Sequence, residues 1–139
     1  MILETGERIA QYLQQHHHFS ECVLEDIRWL HYGTSIELVF DYIWTQDGEL
    51  RSDTTSPEIE ALRFLGVQEF SLKNALNEAI SLQPAEVNWG LSEIAMLQLV
   101  DDETLLAKYK SLPIPVHHVR CSWESDRQID IVFTTVEVD

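Results

Sequence analysis

Between Ser35 and Thr45 apolar side chains fall on every second position: Ile36, Leu38, Phe40, Tyr42 and Trp44, with Glu37, Val39, Asp41 and Ile43 between them. This period of two, carried by β-branched and aromatic residues, predicts a strand with one heavily buried face. Just upstream, Cys22–Tyr32 is kept apolar by Val23, Leu24, Ile27, Trp29 and Leu30, and the Ile27–Trp29 alternation predicts a second strand. Gly33-Thr34 is short enough to fold the two together as a hairpin.

The rest of the chain divides by the same test. Glu4–His18 reads as a helix with a thin apolar face set by Ile9 and Leu13, so it should lie on the surface of the domain. Gln46-Asp47-Gly48 is a turn signal, and Glu49–Ser56 is polar enough to be a loop. Ser56–Gly66 carries two patterns. Ser56-Pro57-Glu58 with Ile59, Leu62 and Gly66 suits a capped helix, whereas alternation of Leu62 and Phe64 with Ile59, Ala61 and Leu65 suits a strand. In Ser71–Leu82, residues Leu72, Ala75, Leu76, Ala79 and Ile80 keep helical spacing, with Ser71 as cap and Pro84 beyond the end. Glu93–Val100 reads as a buried strand. Asp101-Asp102-Glu103 opens a short helix through Lys110. Val116–Trp123 and Gln128–Val138 form a last hairpin across residues 124–127; Ile129, Ile131 and Phe133, continued by Thr135, share one face. Five alternating segments joined partly by hairpin-length turns predict one antiparallel sheet with the helices on one side.

At 139 residues the chain suits a single domain, residues 1–139, able to bury a self-sufficient core. Charge is the unusual quantity: 24 acidic against 9 basic residues give a formal −15. Nucleic acid and anionic membranes are poor partners for such a surface, and a basic protein or peptide is a better one. Cys22 and Cys121 are far apart and in no metal-binding spacing, so two buried free thiols in a reducing compartment are expected. No signal peptide is visible and no apolar run approaches the ~20 residues of a membrane span, which predicts a soluble cytoplasmic protein.

No catalytic constellation appears. His16, His17 and His18 are adjacent, without the spacing that puts two ligands on one helix face, so no metal is expected. His117 and His118 must face opposite sides of a strand, one expected in the core and the other at the surface. The glycines are too scattered for a phosphate-cradling loop, and there is no G-x-S-x-G elbow. Acidic pairs are plentiful in any chain of this charge and mark no acid–base site. The expectation is a non-enzyme without cofactor.

Three segments, Phe19-Ser20-Glu21-Cys22-Val23-Leu24, Ile36-Glu37-Leu38-Val39-Phe40 and Leu62-Arg63-Phe64-Leu65-Gly66-Val67, resemble in order and character the immunity proteins of bacterial polymorphic toxin systems of the contact-dependent, Rhs or type VI kind. Several such families carry Phe-His-Asp in the first segment, where this chain has Phe19-Ser20-Glu21. The resemblance implies an α+β fold on a single mainly antiparallel sheet, with an N-terminal helix and one or two short helices packed on it. It makes 58–66 a strand. It also implies a non-enzymatic role, binding and neutralising a cognate, basic toxin. The alternative is an acidic cytoplasmic secretion chaperone for an effector protein. Those generally close with a helix, while this chain closes with a predicted strand.

A basic partner would meet acidic residues where the chain reverses. The candidates are Asp47, Glu49 and Asp53, then Asp101, Asp102 and Glu103, then Glu124 and Asp126, with Trp44 and Trp123 as aromatic anchors beside two of these turns. Turns on one edge of a sheet would combine into one patch.

Overall fold

A computed structural model describes residues 1–52, 56–74, 93–124 and 126–139. In these residues the chain forms β1 (Ile2–Leu3), α1 (Gly6–Gln15), β2 (Val23–Leu30), β3 (Ser35–Asp41), β4 (Ile59–Leu65), β5 (Glu69–Lys73), β6 (Met96–Leu99), a short helix α2 (Glu103–Leu106), β7 (His117–Ser122), β8 (Gln128–Phe133) and β9 (Thr135–Val138).

The expected single sheet is corrected by the structure: there are two antiparallel sheets, one of five strands in the order β1-β9-β4-β3-β2 and one of four in the order β5-β8-β7-β6. The cause is a corner. β4 pairs with β9 and β5 pairs with β8, so β4–β5 and β8–β9 form a two-strand ribbon that turns at Gly66–Gln68 on one side and Thr134 on the other. The Thr134 N–H donates to the Leu65 carbonyl (3.0 Å) and the Gln68 N–H to that of Val132 (2.7 Å), which keeps the ribbon paired through the bend. Gly66 sits at φ +61°, and a Cβ there would come within 2.3 Å of the Thr134 hydroxyl oxygen. Only glycine combines that dihedral with that approach.

The corner shifts the phase of the buried positions. Ile129, Ile131 and Phe133 face the core from β8, and Val136 and Val138 do so from β9, so Thr135 does not continue the buried row. Side chains from both sheets join one buried cluster, in which Phe64 of β4 meets Phe133 of β8 edge to face at 4.8 Å. In β3 the alternation holds: Ile36, Leu38 and Phe40 are fully buried and Tyr42 follows them. Residues 59–65 are a strand, with Leu62 and Phe64 inward and Ile59 exposed.

Helix α1 is capped by the Thr5 hydroxyl, which accepts from the Arg8 N–H. Its thin face was enough: Ile9, Tyr12 and Leu13 are buried in the shared core while the other side of the helix is exposed. The helix expected from Ser71 does not begin there, because Ser71, Leu72 and Lys73 pair with β8 as part of β5. The remainder of 71–82 lies outside the described residues. Asp102 caps α2, accepting from Thr104 and Leu105. Cys22 and Cys121 are free and buried.

The two adjacent histidines of β7 do face opposite ways, and His118 is the buried one while His117 is half-exposed. His117 turns to the inner side, its ring 5.8 Å from that of Phe133, and donates to the Glu4 carbonyl. His118 is 1% exposed on the outer side and donates to Asp130 at 2.6 Å.

Candidate functional site

The chain between α1 and β2 leaves the ordinary backbone regions. His17, His18 and Phe19 all have positive φ, at 54°, 52° and 53°, and Glu21 follows at 63°. Consecutive left-handed L-residues cost ~1–2 kcal/mol each, so the surroundings must hold them. Phe19 supplies the hold: it is fully buried, 4.9 Å from Phe40 and 5.4 Å from Tyr42 between ring centroids. With Phe19 inside, the neighbouring histidines are sent to three different places. The His16 ring stacks on Tyr12 at 4.0 Å and donates from Nδ1 to the Tyr12 carbonyl. His17 stacks on Trp44 at 4.6 Å, and His18 donates to the Leu97 carbonyl at 3.3 Å. They form no joint ligand set, and among the described residues no group of three or more His, Cys, Asp or Glu is placed to hold a metal.

Beside this turn lies a cleft of about 520 Å³, walled by His16, His17, Tyr42 and Trp44 and bordered by Arg51, Glu58 and Glu60. Trp44 donates from its indole to the Ser20 carbonyl at 2.8 Å. The Tyr42 N–H donates to the Glu58 carbonyl, so the chain beyond β3 runs against the chain before β4. Glu60 stands opposite Phe40, on the core-facing side of β4 but beyond the last apolar layer. Burial raises its carboxyl above the ordinary range; His16 lowers it, and Glu58 raises it further. Arg51 reaches Asp41 at 3.3 Å and Glu58 at 3.4 Å, and it does not pair with Glu60. Burial, reinforced by Cys22 and Glu60, pushes the Tyr42 hydroxyl up to about 12.

Past Trp44 the acidic character continues. The Glu21 N–H donates to the Ile94 carbonyl, and Val23 bridges Glu93, which brings the start of β2 beside the start of β6. The Glu93 carboxyl is raised first by burial and then by Glu21 and Glu124, so the charges of both act on Glu93.

The expected partner-binding residues divide between two ends of the molecule. Trp44 is half-buried at the cleft. Asp47 and Glu49 are exposed in the adjoining turn, whose Gly48 approaches the His17 ring. Glu124 joins Glu21 and Glu93, and Asp126 is exposed in the same turn. Asp101, Asp102 and Glu103 lie at the opposite end of the β6–β7 pair, because antiparallel pairing sets Met96 against Ser122 and Leu99 against Val119. They do not share an edge with the others, and the single patch expected of all the turns is not formed. Trp123 is 4% exposed and belongs to the core, with the Arg127 guanidinium over its ring at 4.6 Å. Asp53 lies outside the described residues.

Sequence reasoning missed His16, His17, Glu21, Glu58, Glu60 and Glu93. Glu58 and Glu60 had one available signal, an acidic pair at strand spacing just ahead of the inward pair Leu62 and Phe64. The left-handed turn that carries His17 and Glu21 contains no glycine or asparagine, and its only residue-type signal is the pair of histidines, which tolerate positive φ better than most side chains.

No protein-family model matches the chain, and no curated protein is significantly similar to it. The fold is similar to that in a crystal structure of an uncharacterized protein from Neisseria gonorrhoeae, with a TM-score of 0.53 at 14% identity over 87% of this chain and 92% of that one. Among the described residues no helix is long and apolar enough to cross a membrane.

Proposed function

We propose that this protein binds a basic partner protein and neutralises it, as an immunity protein does its cognate toxin, in the cytoplasm and without catalysis of its own. The observation that supports this most is that Glu21, which follows the Ser20 carbonyl bonded by Trp44, and Glu124 both act on Glu93, so that acidic residues from three parts of the chain converge near the Trp44 cleft. Converging carboxylates near a half-buried tryptophan suit a cationic protein surface, since the partner offsets their charge and the ring supplies contact area. The formal charge of −15 adds long-range attraction to such a surface.

The test is to produce the chain with the product of its neighbouring gene. A stable complex, loss of the partner's activity and an association rate that falls steeply with salt are expected. Reversing Glu21 and Glu124 together should slow association by about tenfold. A partner that stays active in the complex and remains exportable would indicate a secretion chaperone instead. An association rate indifferent to salt and to both reversals would move the interface away from this end.

A further inference from the structure

We infer that the Tyr42–Trp44 cleft receives the guanidinium of an arginine side chain belonging to the protein partner. This rests on the protein-binding reading only for the owner of the side chain. The chemistry of the cleft stands separately.

Charge comes first. Asp41, Glu58 and Glu60 face one fixed cation, Arg51, whose guanidinium is already held by Asp41 and Glu58 and whose side chain is only 16% exposed. Glu60 accepts no hydrogen bond from the described residues, and the one group that lowers its carboxyl is the His16 ring. A half-buried carboxylate without a donor is a standing free-energy cost, and an entering cation with donors removes it. That the Glu60 carboxyl is raised by burial agrees with an unmet need for positive charge.

Shape narrows the cation. Tyr42 and the stacked His17–Trp44 pair line the cleft. Aromatic faces attract cations, and a planar guanidinium can lie along a ring while turning its edge to a carboxylate. Arginine can offer two parallel N–H donors to both oxygens of Glu60, which an ammonium cannot do in one plane. The cleft volume of about 520 Å³ accommodates one such side chain with water.

The rim points to a protein as the owner. Trp44 is bonded to the Ser20 carbonyl, the next residue is Glu21, and the charges of Glu21 and Glu124 both act on Glu93. An arginine seated in the cleft would therefore have its neighbours in its own chain over further carboxylates, an advantage that a free small cation lacks.

The experiment uses the whole chain and follows the Trp44 indole N–H in a proton–nitrogen correlation spectrum, the signal being identified by its loss in Trp44→Phe. N-acetyl-arginine amide should shift it saturably and N-acetyl-aspartate amide should not. Glu60→Gln should weaken the arginine response about tenfold or more, with signals remote from the cleft unchanged. Should Glu60→Gln disturb the fold, Glu58→Gln and the aspartate arm serve in its place. A peptide with two arginines should bind more tightly than the single amide, and Glu21→Gln should remove that gain. Absence of any arginine response, a response to aspartate instead (an anion site on Arg51), or an unaltered response in the folded Glu60 variant would overturn the inference. Equal affinity for amide and peptide would overturn its assignment to a protein partner. Success here with no partner neutralised would leave the cleft assignment standing and refute the immunity reading.

Discussion

The outer faces of the two sheets both carry cross-strand ion pairs, in very different surroundings. On the five-stranded sheet, Arg28, Glu37, Arg63 and Glu137 stand directly opposite one another in β2, β3, β4 and β9. They form an alternating ladder with contacts of 3.1–3.3 Å. Both arginines and Glu137 are substantially solvated, and only Glu37, at 9% side-chain exposure, is not. On the four-stranded sheet a single carboxylate, Asp130, accepts from His118 at 2.6 Å, Arg120 at 2.9 Å and Gln128 at 2.9 Å. His118 is almost fully enclosed and its Nδ1 has no partner among the described residues. The segment after α2 is tied to this face through Lys108 and Tyr109 on Glu69. The same kind of pair thus does two kinds of work. Solvated, the ladder contributes little energy but specifies register, since a one-residue slip would set its charges against apolar neighbours. Enclosed, Asp130 is the group without which His118 would have no hydrogen bond at all.

The largest effect should come from breaking the corner that gives the molecule two outer faces. Gly66→Ala adds a Cβ at positive φ against Thr134, and a loss of ~3 kcal/mol or more is expected in denaturant unfolding. Adding Thr134→Ala should return only part of it, because the dihedral strain stays. A stability loss under 1 kcal/mol would mean that the corner yields easily and the sheets are less separately held than described.

Next come the two carboxylates themselves. Asp130→Asn should cost about 3 kcal/mol, the range for breaking a buried charged pair. Glu37→Gln should cost about 1 kcal/mol, because its arginines can turn to water. High salt should shrink the Glu37 effect and leave that of Asp130 nearly intact. Equal losses, or equal salt dependence, would erase the contrast between the faces.

The smallest effect, absent at neutral pH, concerns the core that both sheets share. Burial pushes the Cys22 thiol up from 9.0 to about 11, and it raises Cys121 and Tyr12 as well. Groups raised on folding give stability that is fully present below the unfolded value and lost as pH rises through the folded one. Unfolding midpoints should therefore hold steady from pH ~7 to ~8.5 and decline from there toward ~11. Cys22→Ala should flatten part of that decline. A midpoint flat to pH ~11 would contradict the burial of these groups.

Much of the local structure is legible in residue order. The inward row of Ile36, Leu38 and Phe40, the β2–β3 hairpin, the Asp102 cap and the opposed histidines of β7 follow from periodicity and side-chain chemistry, because each depends on neighbours within a few residues. Residues 59–65 satisfied helix and strand patterns alike, and pairing with β3 and β9 decided between them. The same holds for Leu72, whose helical spacing gave way to pairing with Ile129.

The second sheet left one trace in the sequence, the slip of the buried phase from Phe133 to Val136, which a single strand read straight through cannot explain. Which end of a strand a turn occupies is a property of topology. For that reason Glu124 joined Glu21 and Glu93 while Asp101, Asp102 and Glu103 went to the far end, although all are acidic turn residues in sequence. The cleft is the extreme case. Its histidines, Tyr42, Trp44 and Glu60 come from three separate stretches of chain and are joined by a left-handed turn held in place by one buried ring. Residue types set what each side chain could do. Long-range packing decided which of them would meet, because the energy that holds such a turn comes from contacts remote in sequence.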